Sequence, residues 1–287
     1  MWPPASDPSE VPAAPALEPD DAASRWRRHL ESWAIPTDIL QAAPESPWGF
    51  QPGRFDKAAE AAVADPDSTP SRTSALERLP TGGSVLDVGV GGGAASLPLC
   101  PPAGQLVGVD ESEAMLRSFG LAATRRRIRH EVFLGRWPDV APAAPEADVV
   151  VCHHVVYNVA DLVPFLVALT THARRRVVVE LTERHPLSGL APLWRLIHGL
   201  ERPIRPIASD AVEVASELGY DVQVASFQRS SPWDLASIEE RVVDARRRLC
   251  VGSDRDAEIG AYLEAAGTGE PRRLVTMWWD PPERHGS

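Results

Sequence analysis

Two carboxylates stand at the ends of short apolar runs: Asp87 in Ser84-Val85-Leu86-Asp87-Val88, and Asp110 in Leu106-Val107-Gly108-Val109-Asp110. The first run breaks at once into Gly89, Gly91 and Gly93. A strand that ends in glycines and turns toward a helix brings bare backbone close to a ligand. Gly89-x-Gly91-x-x-Ala94 fits the loose dinucleotide pattern. A carboxylate at the strand tip, however, repels a pyrophosphate and welcomes an ammonium group. Asp110 follows the first glycine by about 20 residues, the offset at which an acidic side chain meets ribose hydroxyls. A second set of reactive side chains comes later, in His153-His154-Val155-Val156-Tyr157-Asn158 and then Glu180, Glu183 and His185. A histidine here suits proton removal near neutral pH, with Tyr157 orienting an acceptor. A metal is not expected. Adjacent side chains in extended chain point to opposite faces, and no further ligand spacing supports the pair.

These groups need a scaffold that brings strand ends together. Apolar runs at 84–88, 105–109, 128–134, 147–152 and 176–181 alternate with helical patterns, which predicts parallel strands joined by right-handed crossovers. The runs Val149-Val150-Val151 and Val177-Val178-Val179 fit strands covered on both faces. A helix is expected from about Gly92, others over 112–123 and 159–171, and an amphipathic one over 190–200. Ser209-Asp210 reads as a cap, 222–227 as a sixth strand, 235–249 and 254–265 as helices, and 273–279 as a last strand. The fold expected is α/β: a doubly wound, Rossmann-like, mostly parallel seven-stranded sheet with its last strand antiparallel, plus an N-terminal helical extension.

The runs VLDVGVGGG, GVDESEAML and ADVVVCHHVVYNVADL, in this order and spacing, resemble the class I S-adenosylmethionine (SAM)-dependent methyltransferases. The resemblance covers roughly residues 81–183 well and the C-terminal third more loosely. It implies that Asp87, Gly89, Gly91 and Gly93 hold the amino-acid end of SAM. It also implies that Asp110, with Glu111 beside it, offers its two oxygens to the ribose diol. Met115 flanks the adenine by the same reasoning. The loop after the third strand lacks the acidic residue that reads the adenine amino group in many relatives; Arg136 and Trp137 stand there, with Trp137 free to stack. His153 turns toward the cofactor backbone. His154, Tyr157, Glu183 and His185 are left as acceptor-side candidates, His154 and Tyr157 leading. The strand placed last is antiparallel in the family.

The formal net charge of −11 argues against a nucleic-acid partner, and no apolar stretch reaches the length of a membrane span. Cys100, Cys152 and Cys250 are far apart and read as free thiols of a reducing cytoplasm. Residues 1–24 are a Pro-rich tail expected to be disordered. Residues 25–80 are expected to form a helical cap, with Trp48 and Phe50 on a Pro/Gly-rich loop closing over the mouth, and 81–287 the methyltransferase domain. The reading is a cytoplasmic SAM-dependent methyltransferase acting on a small molecule at a hydroxyl oxygen, with no nucleic-acid or membrane partner and with room for a homodimer. N- or C-methylation of a metabolite is the alternative enzyme reading. A non-catalytic SAM-binding scaffold is the alternative of another class.

Overall fold

The computed structural model describes residues 21–48, 53–65, 67–229, 236–267 and 271–283. Phe50, half of the expected aromatic lid, lies outside them, as does the tail up to residue 20.

Seven strands form one sheet: β1 (Ser84–Val88), β2 (Gln105–Asp110), β3 (Arg129–Leu134), β4 (Ala147–His153), β5 (Ala173–Thr182), β6 (Gln223–Arg229) and β7 (Arg272–Trp279). Their order is β3-β2-β1-β4-β5-β7-β6. The first five are parallel, and β7 inserts antiparallel between β5 and β6. The winding reverses between β1 and β4. In such sheets ligands bind outside the carboxyl ends at that reversal. The valine runs of β4 and β5 are buried from both sides, as their continuous apolarity requires.

One face carries α1 (Ala22–Glu31), α6 (Leu162–His172) and α8 (Ala208–Glu217). The other carries α3 (Arg54–Ala64), α4 (Pro70–Arg78) and α5 (Glu113–Arg125). A third cluster joins α2 (Thr37–Ala42), α7 (Ala191–His198), α9 (Ile238–Arg248) and α10 (Asp256–Ala265) around Leu193, Trp194, Leu249 and Ile259. The N-terminal caps follow local chemistry: Asp21 accepts the Ser24 amide at 2.6 Å, so α1 starts before residue 24, and Thr69 caps α4 with Pro70 behind it.

The crossover from β1 to β2 departs from expectation. In place of a helix from Gly92, residues 91–96 form turns and only Leu97–Leu99 make a short 3₁₀ turn. Pro98, Pro101 and Pro102 crowd the segment, and proline removes the amide donors an α-helix needs. The layer is completed from elsewhere: α3 packs beside Leu97–Leu99 and α5, with Ala59 buried in the same cluster as Leu97, Leu99 and Phe119. Much of the N-terminal segment is therefore part of the layered core. The helix expected to be capped by Ser209-Asp210 begins at Ala208; Asp210 serves it from inside, its Oδ2 accepting the Ile207 amide at 2.8 Å.

Candidate functional site

At the tips of β1 and β2 the chain closes a tight turn. Gly89, Gly91 and Gly93 all have positive φ, at 75°, 50° and 89°. The Gly91 amide donates to Asp110 Oδ2 at 3.0 Å and the Ser112 amide to Oδ1 at 2.9 Å. Each oxygen of a carboxylate keeps a further lone pair, so half-buried Asp110 can still accept a vicinal diol. Glu111 beside it is exposed, and Met115 is half-buried on the first turn of α5. Asp87 is 1 % exposed and accepts the Ser96 hydroxyl at 2.6 Å. Burial, with the charge of Asp110 adding to it and the Ser96 hydrogen bonds opposing it, pushes its carboxyl up to about 7.

The glycines divide by what surrounds them. A Cβ at Gly93 would strike Phe119 and Leu97, so this glycine serves close packing. A Cβ at Gly89 would lie 2.2 Å from Val155 of the loop after β4. A Cβ at Gly91 would lie 3.1 Å from the Phe55 ring, and one at Gly92 2.5 Å from the Phe55 carbonyl oxygen. The chemistry of the acceptors suits SAM: Asp110 keeps lone pairs that a ribose diol could use, and Asp87 is a carboxylate at the strand tip, buried behind Ser96. The outer side of the turn is covered by the first turn of α3.

Trp137 does not stand at an open mouth. It is 5 % exposed within the core of the α1/α6/α8 face and meets His172 edge-on at 4.9 Å, while Arg136 is exposed. Pro138 and the turns after β3 direct the indole inward.

Across the reversal, at the tips of β4 and β5, the two histidines converge. His154 has φ 60°, a left-handed conformation uncommon for a residue with a side chain, while its amide donates to the Glu180 carbonyl at 2.7 Å. That turn breaks the strand alternation expected of adjacent residues. Both rings come to one carboxylate: Glu180 Oε1 lies 3.4 Å from His154 Nε2 and 4.0 Å from His153 Nδ1. Glu180 is 4 % exposed and also accepts the hydroxyl of Ser71, on the first turn of α4. Burial alone would raise the Glu180 carboxyl, but His153, His154 and Ser71 outweigh it and hold it at about 2. Burial moves His153 toward its neutral form, so the anion rests more on the Ser71 hydrogen bond and the His154 contact than on a charge at His153. His154 remains half-exposed.

Tyr157 and His185 sit elsewhere. The Tyr157 ring is 5 % exposed and its hydroxyl donates to the Thr182 carbonyl at 2.9 Å and the Glu183 carbonyl at 3.3 Å. Burial raises its pKa further from use as a base. His185 stacks on Trp33 at 3.9 Å and accepts the Leu187 amide; burial, then Arg202, lowers it to about 4. With Trp26 against Tyr157, these rings seat the N-terminal segment on the loops after β4 and β5. Glu183 is half-buried and 3.7 Å from Arg273. Ser71, Ser96 and Phe55 had no signal in the sequence and reach the site by packing; Val155 stands inside the third quoted run, where nothing marked it as the neighbour of Gly89. Among the described residues no group of three or more His, Cys, Asp or Glu could hold a metal, and no helix is long and apolar enough to cross a membrane.

A family model for a methyltransferase domain matches residues 85–175. No curated protein matches the chain. Among solved structures, the YcgJ protein of Bacillus subtilis is 14% identical, with 79% of this chain and 99% of that one covered at a TM-score of 0.51. A cyclopropane-fatty-acyl-phospholipid synthase-like protein from Lactobacillus casei is 15% identical, with 88% and 99% covered at a TM-score of 0.51. At such identities these likenesses concern the fold. The matched domain contains both carboxylate tips, the glycine turn and the paired histidines. Residues 85–175 thus match a methyltransferase domain, carried on a doubly wound, Rossmann-like sheet of the methyltransferase fold.

Proposed function

We propose that this enzyme methylates a small-molecule acceptor at a hydroxyl oxygen and that His154 takes the hydroxyl proton. The observation that carries the reading is the placement of a half-exposed imidazole, backed by a buried carboxylate, at the β1/β4 reversal. SAM, when bound, supplies an electrophilic methyl on a sulfonium. The chain's own work is to hold, align and deprotonate. Asp110 presents acceptors to the ribose diol, and Asp87 places a carboxylate by the ammonium end. Val155 and Phe55 limit water around the glycine turn. His154 accepts the proton as the acceptor oxygen becomes nucleophilic; alignment and proton removal are the two demands of the step.

The test uses fractionated small metabolites as acceptors and follows S-adenosylhomocysteine formation. With a productive fraction in hand, His154→Ala is expected to lower kcat by about 10²-fold while calorimetry shows unchanged SAM affinity. Full activity in that variant would move proton removal to Glu183. One observation favours a second reading: the first turn of α3 covers Gly91 and Gly92. A SAM-binding scaffold without turnover would bind the cofactor and form no S-adenosylhomocysteine with any fraction.

A further inference from the structure

The hydrogen bonds around Glu180 have only one consistent direction. An ionised carboxylate accepts and cannot donate. Ser71 therefore spends its single proton on Glu180 Oε2. Thr69 Oγ1 lies 2.9 Å from Ser71 Oγ, and with the Ser71 proton committed, the Thr69 hydroxyl must be the donor of that pair. The Thr69 oxygen in turn accepts the Arg72 amide that starts α4. The order of donation runs from the helix start through Thr69 and Ser71 to Glu180, and every hydroxyl in it is used. Ser71 is 2 % exposed and Glu180 4 %, so neither can trade these partners for water.

The other oxygen of the carboxylate faces His154 Nε2 at 3.4 Å. Because Oε1 can only accept, a hydrogen bond along this contact requires the proton on Nε2. His154 Nδ1 has no hydrogen-bond partner among the described residues. The backbone adds a constraint: the left-handed turn at His154 and the bond from its amide to the Glu180 carbonyl tie the main chain of His154 to the same residue whose carboxylate its ring approaches.

We propose that Glu180, oriented by Ser71, is a positioning residue that holds His154 as the Nε2–H tautomer, so that Nδ1 is the atom that receives the acceptor proton. In that step the acceptor O–H bond breaks, a bond from the proton to Nδ1 forms, and the resulting imidazolium stays beside the Glu180 carboxylate. A carboxylate behind an imidazole fixes the tautomer and stabilises the cation in the same way in unrelated sites. The long Nε2 contact accords with hydrogen bonds that tighten only when the site is filled. The assignment also gives α4, a helix ahead of the matched domain, a part in the chemistry.

The inference rests on the proposed role of His154, and its test is separable from that role because it needs no acceptor. The full chain is labelled with ¹⁵N in its eight histidines, and long-range proton–nitrogen spectra are recorded at alkaline pH, where neutral rings dominate. The His154 signals are those lost in His154→Ala. The expected spectrum shows the proton on Nε2 and a bare Nδ1. Glu180→Gln is expected to shift the population toward the Nδ1–H form, and Ser71→Ala to shift it less. A wild-type ring protonated on Nδ1, or a tautomer ratio that Glu180→Gln leaves unchanged, overturns the proposal. Should Glu180→Gln fail to fold, the wild-type spectrum and Ser71→Ala decide. Once an acceptor is known, Glu180→Gln is expected to lose roughly 10- to 100-fold in kcat with SAM affinity kept. The expected tautomer together with full activity in His154→Ala would sink the base role and leave the pairing standing.

Discussion

The tips of β1 and β2 and the tips of β4 and β5 solve the same problem, holding carboxylates at the end of a sheet, by opposite means. At the first, the partners are local: Asp110 takes amides 19 and 2 residues away, and Asp87 takes a hydroxyl 9 residues away. At the second they are remote: Glu180 takes a hydroxyl 109 residues away. The indole of Trp33 donates to the Arg205 carbonyl 172 residues away, and that of Trp26 to the Val159 carbonyl 133 away. A site built from local bonds is carried by its own loop. A site built from remote ones exists only when the layers around it are assembled. The cofactor end is therefore expected to tolerate damage to the N-terminal segment better than the acceptor end.

The largest effect expected comes from that segment. Trp33 is 5 % exposed and sandwiched between His185 and the guanidinium of Arg202. Trp33→Ala is expected to cost about 3–5 kcal/mol in urea unfolding. SAM affinity of the folded fraction is expected to hold; a parallel loss would erase the contrast between the two ends.

Next comes a pH effect from the cofactor end. The folded Asp87 carboxyl titrates at about 7, against 3.8 for the free side chain. Between these values the folded chain holds a proton the unfolded chain has released, so stability falls as pH rises through the window, by about 4 kcal/mol in full. Asp87→Asn is expected to flatten this part of the profile and to be the more stable protein at pH 8, at the expense of cofactor binding. Equal pH slopes for the two proteins would show that Asp87 is ionised in the fold throughout.

Asp110→Ala is expected to weaken SAM and S-adenosylhomocysteine by about 1.5–3 kcal/mol in calorimetry, the scale of hydrogen bonds to a charged group. If the loss extends to stability, the amides of Gly91 and Ser112 matter more than the diol. The smallest effect is at Phe55. Removing its ring from Gly91 by Phe55→Ala is expected to tighten SAM binding by no more than about tenfold, roughly 1.4 kcal/mol. Hydrogen exchange at residues 53–56 is expected to change when S-adenosylhomocysteine binds; constant exchange would mean that α3 stays seated. Trp48, the described half of the expected aromatic lid, is exposed, and Arg248 of α9 holds the Pro47 carbonyl at 3.0 Å. That part of the loop leans on the C-terminal cluster, and among the described residues Phe55 is an aromatic that meets the glycine turn.

Much of the sheet was legible because valine runs and their spacing are local facts, and a strand covered on both faces has few other ways to read. The helix after the glycines was misread for a local reason too: Ala94 to Leu97 suits a helix, while the prolines just beyond leave it no length. Tyr157 and His185 were legible as reactive types near the mouth. Their burial was not, because it depends on Trp26 and Trp33 arriving from the start of the chain.

The sequence alone determined a doubly wound, mostly parallel sheet with an antiparallel last strand, the glycine turn and the two carboxylates at its tips, since motif, spacing and charge there act within about 20 residues. Tertiary structure decided which of two adjacent histidines is the more exposed, which carboxylate both rings approach, and what covers the glycines. Those outcomes depend on a left-handed turn at His154, held by the ladder to β5, and on α3 and α4 filling a layer that a proline-rich crossover left short of a helix. Close packing brings distant residues together at such places, and a linear pattern has no means to record it.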